Sequence, residues 1–339
     1  MRKYMTAYIA SAMVFLGSCK QHGSAHFVAI AFYNCENFFD TKDDPAKEDE
    51  EFTPEGKYHY TDRIYEQKRR NIATVIASMN DGKGPELIGL AEIENGHVLN
   101  DLVSQPELRN RHYRYIWYSG PDPRGITVAL LYDPAVFTLI GSEAIEVDLP
   151  QTGRKARTRD VLYAKGVLNG DTVHVLVNHW PSRIGGVEQS SGKREIAAAI
   201  NRRKADALLA ADPGTHIIVM GDLNDNPNDV SVTTVLRAAG DKEHIAPGGL
   251  YDPLAAIYAR GEGTEAFRHQ WNLFDQIIIS PAFLKNDGHL QFGYAEVYKP
   301  AFIVDNYKGH EGKPHRSFAG THWINGYSDH FPVVMYLQQ

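Results

Sequence analysis

Residues 216 to 226 read HIIVMGDLNDN. Ile217 to Met220 form an unbroken apolar run, the pattern of a strand buried on both faces, and the run stops abruptly at Gly221, Asp222, Leu223 and Asn224. Side chains two apart in an extended segment point the same way, so Asp222 and Asn224 are expected to project together from the carboxyl end of the strand. One can accept a proton while the other orients a nucleophile or donates to an oxyanion. Gly, Asp and Asn are also turn formers, and Pro227 follows, so this stretch taken alone reads first as a plain turn.

The chain has 339 residues, 43% of them hydrophobic, enough to bury one large core or two ordinary ones. It carries no repeat and no Gly/Ser or Pro linker after residue 60, and residues 26–339 read as one domain. The amino-terminal segment is different in kind. Arg2 and Lys3 precede an apolar run from Ala7 to Leu16 that is too short to span a bilayer, which describes a secretory signal over residues 1–18. Leu16-Gly17-Ser18-Cys19 resembles the bacterial lipobox. That resemblance implies cleavage before Cys19, lipid attachment to Cys19, a short tether over residues 19–25, and a protein anchored on the extracytoplasmic side of the cell envelope. Cys35 is then the other cysteine, leaving no intramolecular disulfide, and its apolar setting makes it a small core residue.

The formal net charge of −7 argues against a dedicated duplex binder with a broad basic face. Arg154, Lys155, Arg157 and Arg159 form one basic cluster, either a solvated face or an attractor for phosphate. The acidic run Asp43 to Glu51 lacks the Gly and the Asp spacing of an EF-hand and reads as a solvated loop.

Other apolar runs repeat the opening pattern. Phe27 to Tyr33 reads as a strand ending in Asn34-Cys35-Glu36-Asn37, with Asn34 and Glu36 on one face by the two-residue period. Leu87 to Ala91 is a second buried strand, ending in Glu92-Ile93-Glu94-Asn95. Strands follow over Tyr113 to Tyr118, Thr127 to Tyr132, Val161 to Leu168 and Val173 to Val177, the last stopped by Asn178-His179-Trp180-Pro181. Phe274 to Ile279 carries Asp275, and Ser328-Asp329-His330-Phe331-Pro332 leads into a final strand ending at Leu337. Helices are expected over Asp62 to Met79, Glu195 to Ala210 and Val230 to Ala239. The first has an apolar stripe of Ile64, Tyr65, Ile72, Val75, Ile76 and Met79, with Glu66, Lys68, Arg69 and Arg70 on the other side and Thr61 as N-cap. Many strands with helices between pairs of them suit two sheets packed face to face, helices outside.

Polar side chains gather where buried strands end: Asn34 and Glu36, Glu92, Asn178 and His179, Asp222 and Asn224, with Asp329 and His330 just before the last strand. Carboxylates brought together must bind a cation or shift their pKa values. Oxygen donors without cysteine suit a hard ion, Mg²⁺ or Mn²⁺, that keeps several waters and meets a phosphate. None of the 15 histidines forms an HExxH or another metal-spaced pair, so zinc is disfavoured. Gly261, Gly263 and Ala266 imitate a dinucleotide fingerprint but lack a preceding strand. Trp180 and Trp271 read as packing residues.

Six segments carry a resemblance through their order and spacing: NCENFFD at 34–40, EIEN at 92–95, NHWPSR at 178–183, GDLND at 221–225, WNLFDQI at 271–277 and SDHFP at 328–332. Together they resemble the endonuclease/exonuclease/phosphatase superfamily, the metal-dependent phosphodiesterases and phosphatases that include DNase I, exonuclease III and bacterial sphingomyelinase. The resemblance covers about residues 26 to 338 and implies an α/β fold, a four-layer α/β/β/α sandwich of two mixed sheets flanked by helices. It makes Glu92 the principal Mg²⁺ ligand, with Glu36, Asn34 and Asp329 near the metal. Asp222 becomes the general base, with Asn224 orienting the attacking water. His330 binds or protonates a phosphate oxygen with Asp275 holding its tautomer, His179 is a general acid, and Asn178 contacts phosphate. In-line attack would invert phosphorus.

Abasic-site nucleases of the superfamily place a Tyr before a Gly-Val-Ala stretch; here Arg124 precedes Gly125-Ile126-Thr127-Val128-Ala129. That departure speaks against an abasic-site enzyme and offers a guanidinium for a substrate phosphate. The resemblance thus implies a Mg²⁺- or Mn²⁺-dependent phosphodiester hydrolase, an endonuclease or exonuclease on extracytoplasmic nucleic acid. A sphingomyelinase-like or small-molecule phosphodiesterase or phosphatase is the alternative. A non-catalytic binding module is the reading from a different class, and the filled base, acid and metal positions argue against it. The membrane, through Cys19, and a phosphodiester are the partners implied; no protein partner is.

Overall fold

A parallel strand pair needs a crossover long enough to return over its sheet, and a helix supplies it. This chain makes such a crossover twice. The computed structural model describes residues 27–149, 156–267 and 270–339. β1 (Val28–Phe38) crosses through α1 (Asp62–Gly82) to the parallel β2 (Leu87–Ile93). α2 (Gly96–Val103), β3 (Arg114–Trp117) and β4 (Thr127–Tyr132) follow. β5 (Phe137–Ile145) and β6 (Val161–Leu168) lead into β7 (Asp171–His179), which crosses through α3 (Val187–Ala211) to the parallel β8 (His216–Asp222). β9 (Ala238–Ala239), β10 (Leu250–Tyr251) and β11 (Asp275–Ile279) complete the second sheet, and β12 (Gln291–Val297) and β13 (Val333–Gln338) return to the first. The six-stranded sheet has the order β12-β13-β1-β2-β4-β3, the seven-stranded sheet β9-β10-β11-β8-β7-β6-β5.

Alternation along the central strands sorts the core into layers. Val175, Val177, Ile218 and Met220 face the other sheet, while Leu176, Ile217, Val219 and Ile278 face α3 and its Ala197, Ala198 and Ala205. On the far side, Ile72, Val75 and Ile76 of α1 cover the first sheet. Each such side chain contributes roughly 1.5–3 kcal/mol when fully buried. The result is the four-layer α/β/β/α sandwich. The sheets meet closely at Gly89, where a Cβ would come within 2.7 Å of Met220 Sδ and 3.0 Å of the Phe32 and Val177 side chains.

Several elements depart from the sequence expectations. Lys68, placed on the solvent face of α1, is fully buried, and its Nζ donates to Ser317 Oγ at 2.7 Å. Periodicity ranks lysine as polar and cannot see that a segment near the far end of the chain covers that face. Thr61 takes the N-cap position in extended conformation without a side-chain capping bond. α3 begins at Val187, where Ser190 Oγ donates back to Gly186 O at 2.6 Å and Arg194 Nη1 donates to that hydroxyl at 2.8 Å. The helix expected over Val230 to Ala239 is a single π turn, Ser231–Val235, followed by β9; Arg237 at φ 62° breaks it and Ala238 and Ala239 pair with Leu250 and Tyr251. β5 and β12 were not anticipated, since edge strands with few buried side chains show no apolar alternation. The short α2 was missed as well, although Asn95 Oδ1 caps it by accepting from His97 and Val98 N–H.

The acidic loop is packed rather than simply solvated. Phe52 stacks on Phe39 at 4.4 Å and on Tyr58 at 4.6 Å, and Asp49 is buried. Residues 1–26, with the signal segment and Cys19, lie outside the described residues, as do Arg154 and Lys155. No helix among the described residues is long and apolar enough to cross a membrane.

Gly221 shows how closely β7 and β8 are fitted, because a Cβ there would lie 2.5 Å from Asn178 O and 2.6 Å from Asn178 Cβ. Backbone cannot give way as a side-chain tip can. Gly221→Ala is therefore expected to destabilise the fold by about 1–3 kcal/mol, read as a lower urea midpoint at unchanged slope.

Candidate active site

The two parallel pairs joined by α-helices, β1–β2 and β7–β8, end at one edge, and their antiparallel neighbours begin there. β1 and β2 bring Asn34, Glu36 and Glu92; β7 and β8 bring His179 and Asp222. β11 starts at Asp275, in register with Asp222, and Asp329 and His330 stand just before β13.

The local geometry is not the extended alternation expected from sequence. Asn34 Oδ1 accepts the N–H of Glu36 at 2.9 Å, and Asp222 Oδ1 accepts the N–H of Asn224 at 3.0 Å. Both are side-chain-closed turns. Glu36 has φ 48°, Asn37 53°, Glu92 61° and Asn224 50°, all in the left-handed region. Non-glycine residues there cost roughly 1–3 kcal/mol each and cluster at functional sites. Register shifts between Asn34 and Phe38 and between Ala91 and Ile93 mark the same strand ends, where bulges re-aim side chains.

One carboxylate oxygen is the meeting point. Asp222 Oδ2 accepts from Asn34 Nδ2 at 3.0 Å, with His179 Nε2 at 3.6 Å and His330 Nε2 at 4.0 Å. His330 Nδ1 lies 2.7 Å from Asp275 Oδ2, which aims its Nε2 at Asp222. Burial pushes the Asp222 carboxyl up to about 7, with His330 pulling it down and Asp275 pushing it up. Burial also opposes charge on His330, yet the Asp275 and Asp222 carboxylates outweigh it and hold its pKa well above the usual histidine value. His179 goes the opposite way: burial first, then the charges of Arg159 and Arg124, keep it well below. His330 is the charged imidazole and His179 the neutral one. His179 Nε2, directed at Asp222 Oδ2 and Glu92 Oε1, is placed to donate a hydrogen bond into the cleft.

The oxygen donors stand beside this group. Glu92 Oε2 accepts the N–H of Asn37 at 2.6 Å, and its Oε1 lies 3.5 Å from Asn34 Nδ2 and 3.9 Å from His179 Nε2. Glu36 Oε2 accepts the N–H of Ser317 at 2.6 Å, and Asp329 Oδ2 accepts from Arg316 Nη2 at 3.0 Å. Burial and the charge of Asp329 raise Glu36 to about 7 despite Lys68 nearby. A carboxylate under that strain, among oxygen donors only, fits a hard divalent ion. Asp222, Asp275 and His330 also place one possible ligand atom each within 4.8 Å of one another. His330 Nδ1 is already engaged by Asp275, so that group would offer an ion Asp222 and His330 Nε2.

Asn178 is not brought into the cleft. It is fully buried, its Nδ2 donating to Leu176 O and Met220 O and its Oδ1 accepting from Trp180 Nε1 at 3.0 Å and Asn201 Nδ2 at 2.7 Å. The reason is strand parity: Asn178 faces α3 and His179, one residue on, faces the site. Arg124 is half-exposed at the rim, its Nε 3.8 Å from Asp122 Oδ1. Arg159, expected in an exposed basic cluster, is buried instead; it pairs with Asp122 at 3.1 Å and donates to His179 O and Trp180 O. Arg183 went unrecognised: it donates to Asn224 O at 2.8 Å, pairs with Asp225 and Asp229, and lies 4.7 Å over the Phe274 ring. Its place in NHWPSR was the available signal.

Residues 29–339 match the endonuclease/exonuclease/phosphatase family, and the chain belongs to it, a phosphoric ester hydrolase of a family whose enzymes use divalent metals. No curated protein matches it in sequence. Humanized D. rerio TDP2, changed by 14 mutations, is 15% identical with TM-score 0.58, covering 92% of this chain and 99% of that one. D. rerio TDP2 complexed with single strand DNA product is 15% identical with TM-score 0.56, covering 92% and 99%. The mannosyl-6-phosphatase of Bacteroides thetaiotaomicron is 18% identical with TM-score 0.56, covering 92% and 100%. At these identities the likeness is one of fold.

The opposite charge states can be read by histidine NMR. His330 is expected to stay protonated above the ordinary histidine midpoint and His179 to stay neutral below it. Asp275→Asn should lower the His330 midpoint, because the foremost carboxylate that raises it is lost, and let that of His179 rise as the charge on His330 weakens.

Proposed function

We propose that this chain hydrolyses phosphodiesters with Mg²⁺ or Mn²⁺ held by Glu92, Glu36, Asn34 and Asp329, and that it acts as a nuclease outside the cytoplasm. The observation that carries the catalytic reading is the convergence of Asn34, His179 and His330 on Asp222 Oδ2. Asp222 takes the proton of the attacking water. Asn224, tied through Nδ2 to Trp180 O at 3.0 Å, offers its Oδ1 to the same water. His330, charged between Asp275 and Asp222, stabilises the negative charge that develops on the phosphate and holds a proton for the leaving oxygen. His179 donates a hydrogen bond to a phosphate oxygen, and Arg124 supplies a cation at the rim. The bound ion would supply Lewis-acid polarisation and charge neutralisation at phosphorus.

The D. rerio TDP2 complex with a single strand DNA product supports nucleic acid as substrate. A small phosphoester is the second reading, supported by the shared fold of the mannosyl-6-phosphatase and by a net charge of −7, which suits a long polyanion poorly. The signal over residues 1–18 and the lipobox at Cys19 support an envelope lipoprotein.

The purified protein is to be assayed with Mg²⁺, Mn²⁺ or EDTA on plasmid DNA, RNA, sphingomyelin, bis-p-nitrophenyl phosphate and a sugar phosphate. Metal-dependent hydrolysis should fall about 10²–10⁴-fold in Asp222→Ala, and the rate should rise with pH as the Asp222 carboxyl, raised to about 7, loses its proton. Equal rates in wild type and variant would remove Asp222 from the chemistry. In cells, Cys19→Ser is expected to shift the protein from the detergent to the aqueous phase of Triton X-114; unchanged partitioning would remove the anchor.

A further inference from the structure

Arg316 occupies an unusual position for an arginine whose side chain is 46% exposed. Its Nη2 lies 3.0 Å from Asp329 Oδ2 and its Nε 3.9 Å from Glu36 Oε1, so one guanidinium borders two carboxylates of the ion-binding group. The backbone that carries it is held from several sides. Tyr327 N–H donates to His315 O at 2.6 Å and Ile324 N–H to Ser317 O at 2.9 Å, clamping residues 315–317 to the segment that leads into Asp329 and His330. Ser317 N–H is bonded to Glu36 and Ser317 Oγ to the buried Lys68. Gly326 permits the close approach, since a Cβ there would collide with the carbonyls of His315 and Arg316.

An exposed ion pair is too weak to account for such a mount. What the mount does is hold a five-donor planar fork, suited to two phosphate oxygens, against Asp329 and Glu36. Arg124 and Arg316 serve different sides: the charge of Arg124 bears on His179, that of Arg316 on Glu36.

We propose that Arg316 is a substrate-binding residue that hydrogen-bonds a non-bridging oxygen of the reacting phosphate, with Asp329 holding the guanidinium in place before substrate arrives. This rests on the phosphoesterase reading above. A phosphoester that carries a free anionic oxygen at phosphorus is the class it selects, and a neutral phosphotriester lacks the charge it would pair with.

The test uses Arg316→Ala and Arg316→Lys in the full chain, with circular dichroism and thermal melting to establish that both fold. Calorimetry measures Mn²⁺ binding, then inorganic phosphate binding to the Mn²⁺-loaded protein; kinetics use bis-p-nitrophenyl phosphate. Arg316→Ala is expected to weaken phosphate binding and raise KM by on the order of tenfold, with kcat little changed and Mn²⁺ affinity undiminished, and Arg316→Lys to recover only part. Weakened Mn²⁺ binding with unchanged phosphate affinity would make Arg316 a support for Asp329 and overturn the proposal, as would no change in either. If the wild type hydrolyses no ester, the catalytic reading fails, while phosphate calorimetry still decides the role of Arg316.

Discussion

Two parallel strand pairs, in sheets packed face to face, end at the same edge, where their antiparallel neighbours begin. Everything at the site depends on that coincidence. Strands arriving from below supply Asn34, Glu92, His179 and Asp222, while strands departing supply Asp275 and the Asp329-His330 step. The register Asp222↔Asp275 then sets two carboxylates side by side, and His330 settles against both. The cost is a concentration of buried negative charge, which explains why Glu36 and Asp222 are both raised to about 7 by burial.

The protein offsets part of that charge with its own cations, each from a different element. Lys68 comes from α1, Arg316 from the carboxyl-terminal segment, and His330 from the approach to β13. What remains uncompensated is suited to a divalent ion. The two imidazoles illustrate how neighbours decide a charge state. Both are buried, but His330 faces two carboxylates, whereas His179 has Arg159 behind it and Arg124 at the rim.

Much of this was legible in the residues. Apolar runs ending in polar clusters located the strand ends, because burial on both faces demands continuous hydrophobicity and the chain can afford polarity only where the sheet stops. The face each polar side chain takes was not legible in the same way. Asn34 with Glu36, and Asp222 with Asn224, were expected to align by extended alternation, yet they are joined by turns in which the first side chain accepts the N–H of the second. Asn178 and His179 looked like equal candidates, and parity sent one to α3 and the other to the cleft.

The residues alone established the buried apolar strands, but not the edge strands or the short α2, and the identities of the groups able to take a proton or hold a hard cation. Only the tertiary structure decided which of them meet. Asn34 lies 188 residues from Asp222 and Lys68 lies 249 from Ser317. Such distances close only through sheet packing, which no local period encodes. The buried roles of Lys68 and Arg159 and the mount of Arg316 were beyond local reading for the same reason. A charged side chain is polar by composition, and whether it faces water depends on which distant segment comes to lie over it.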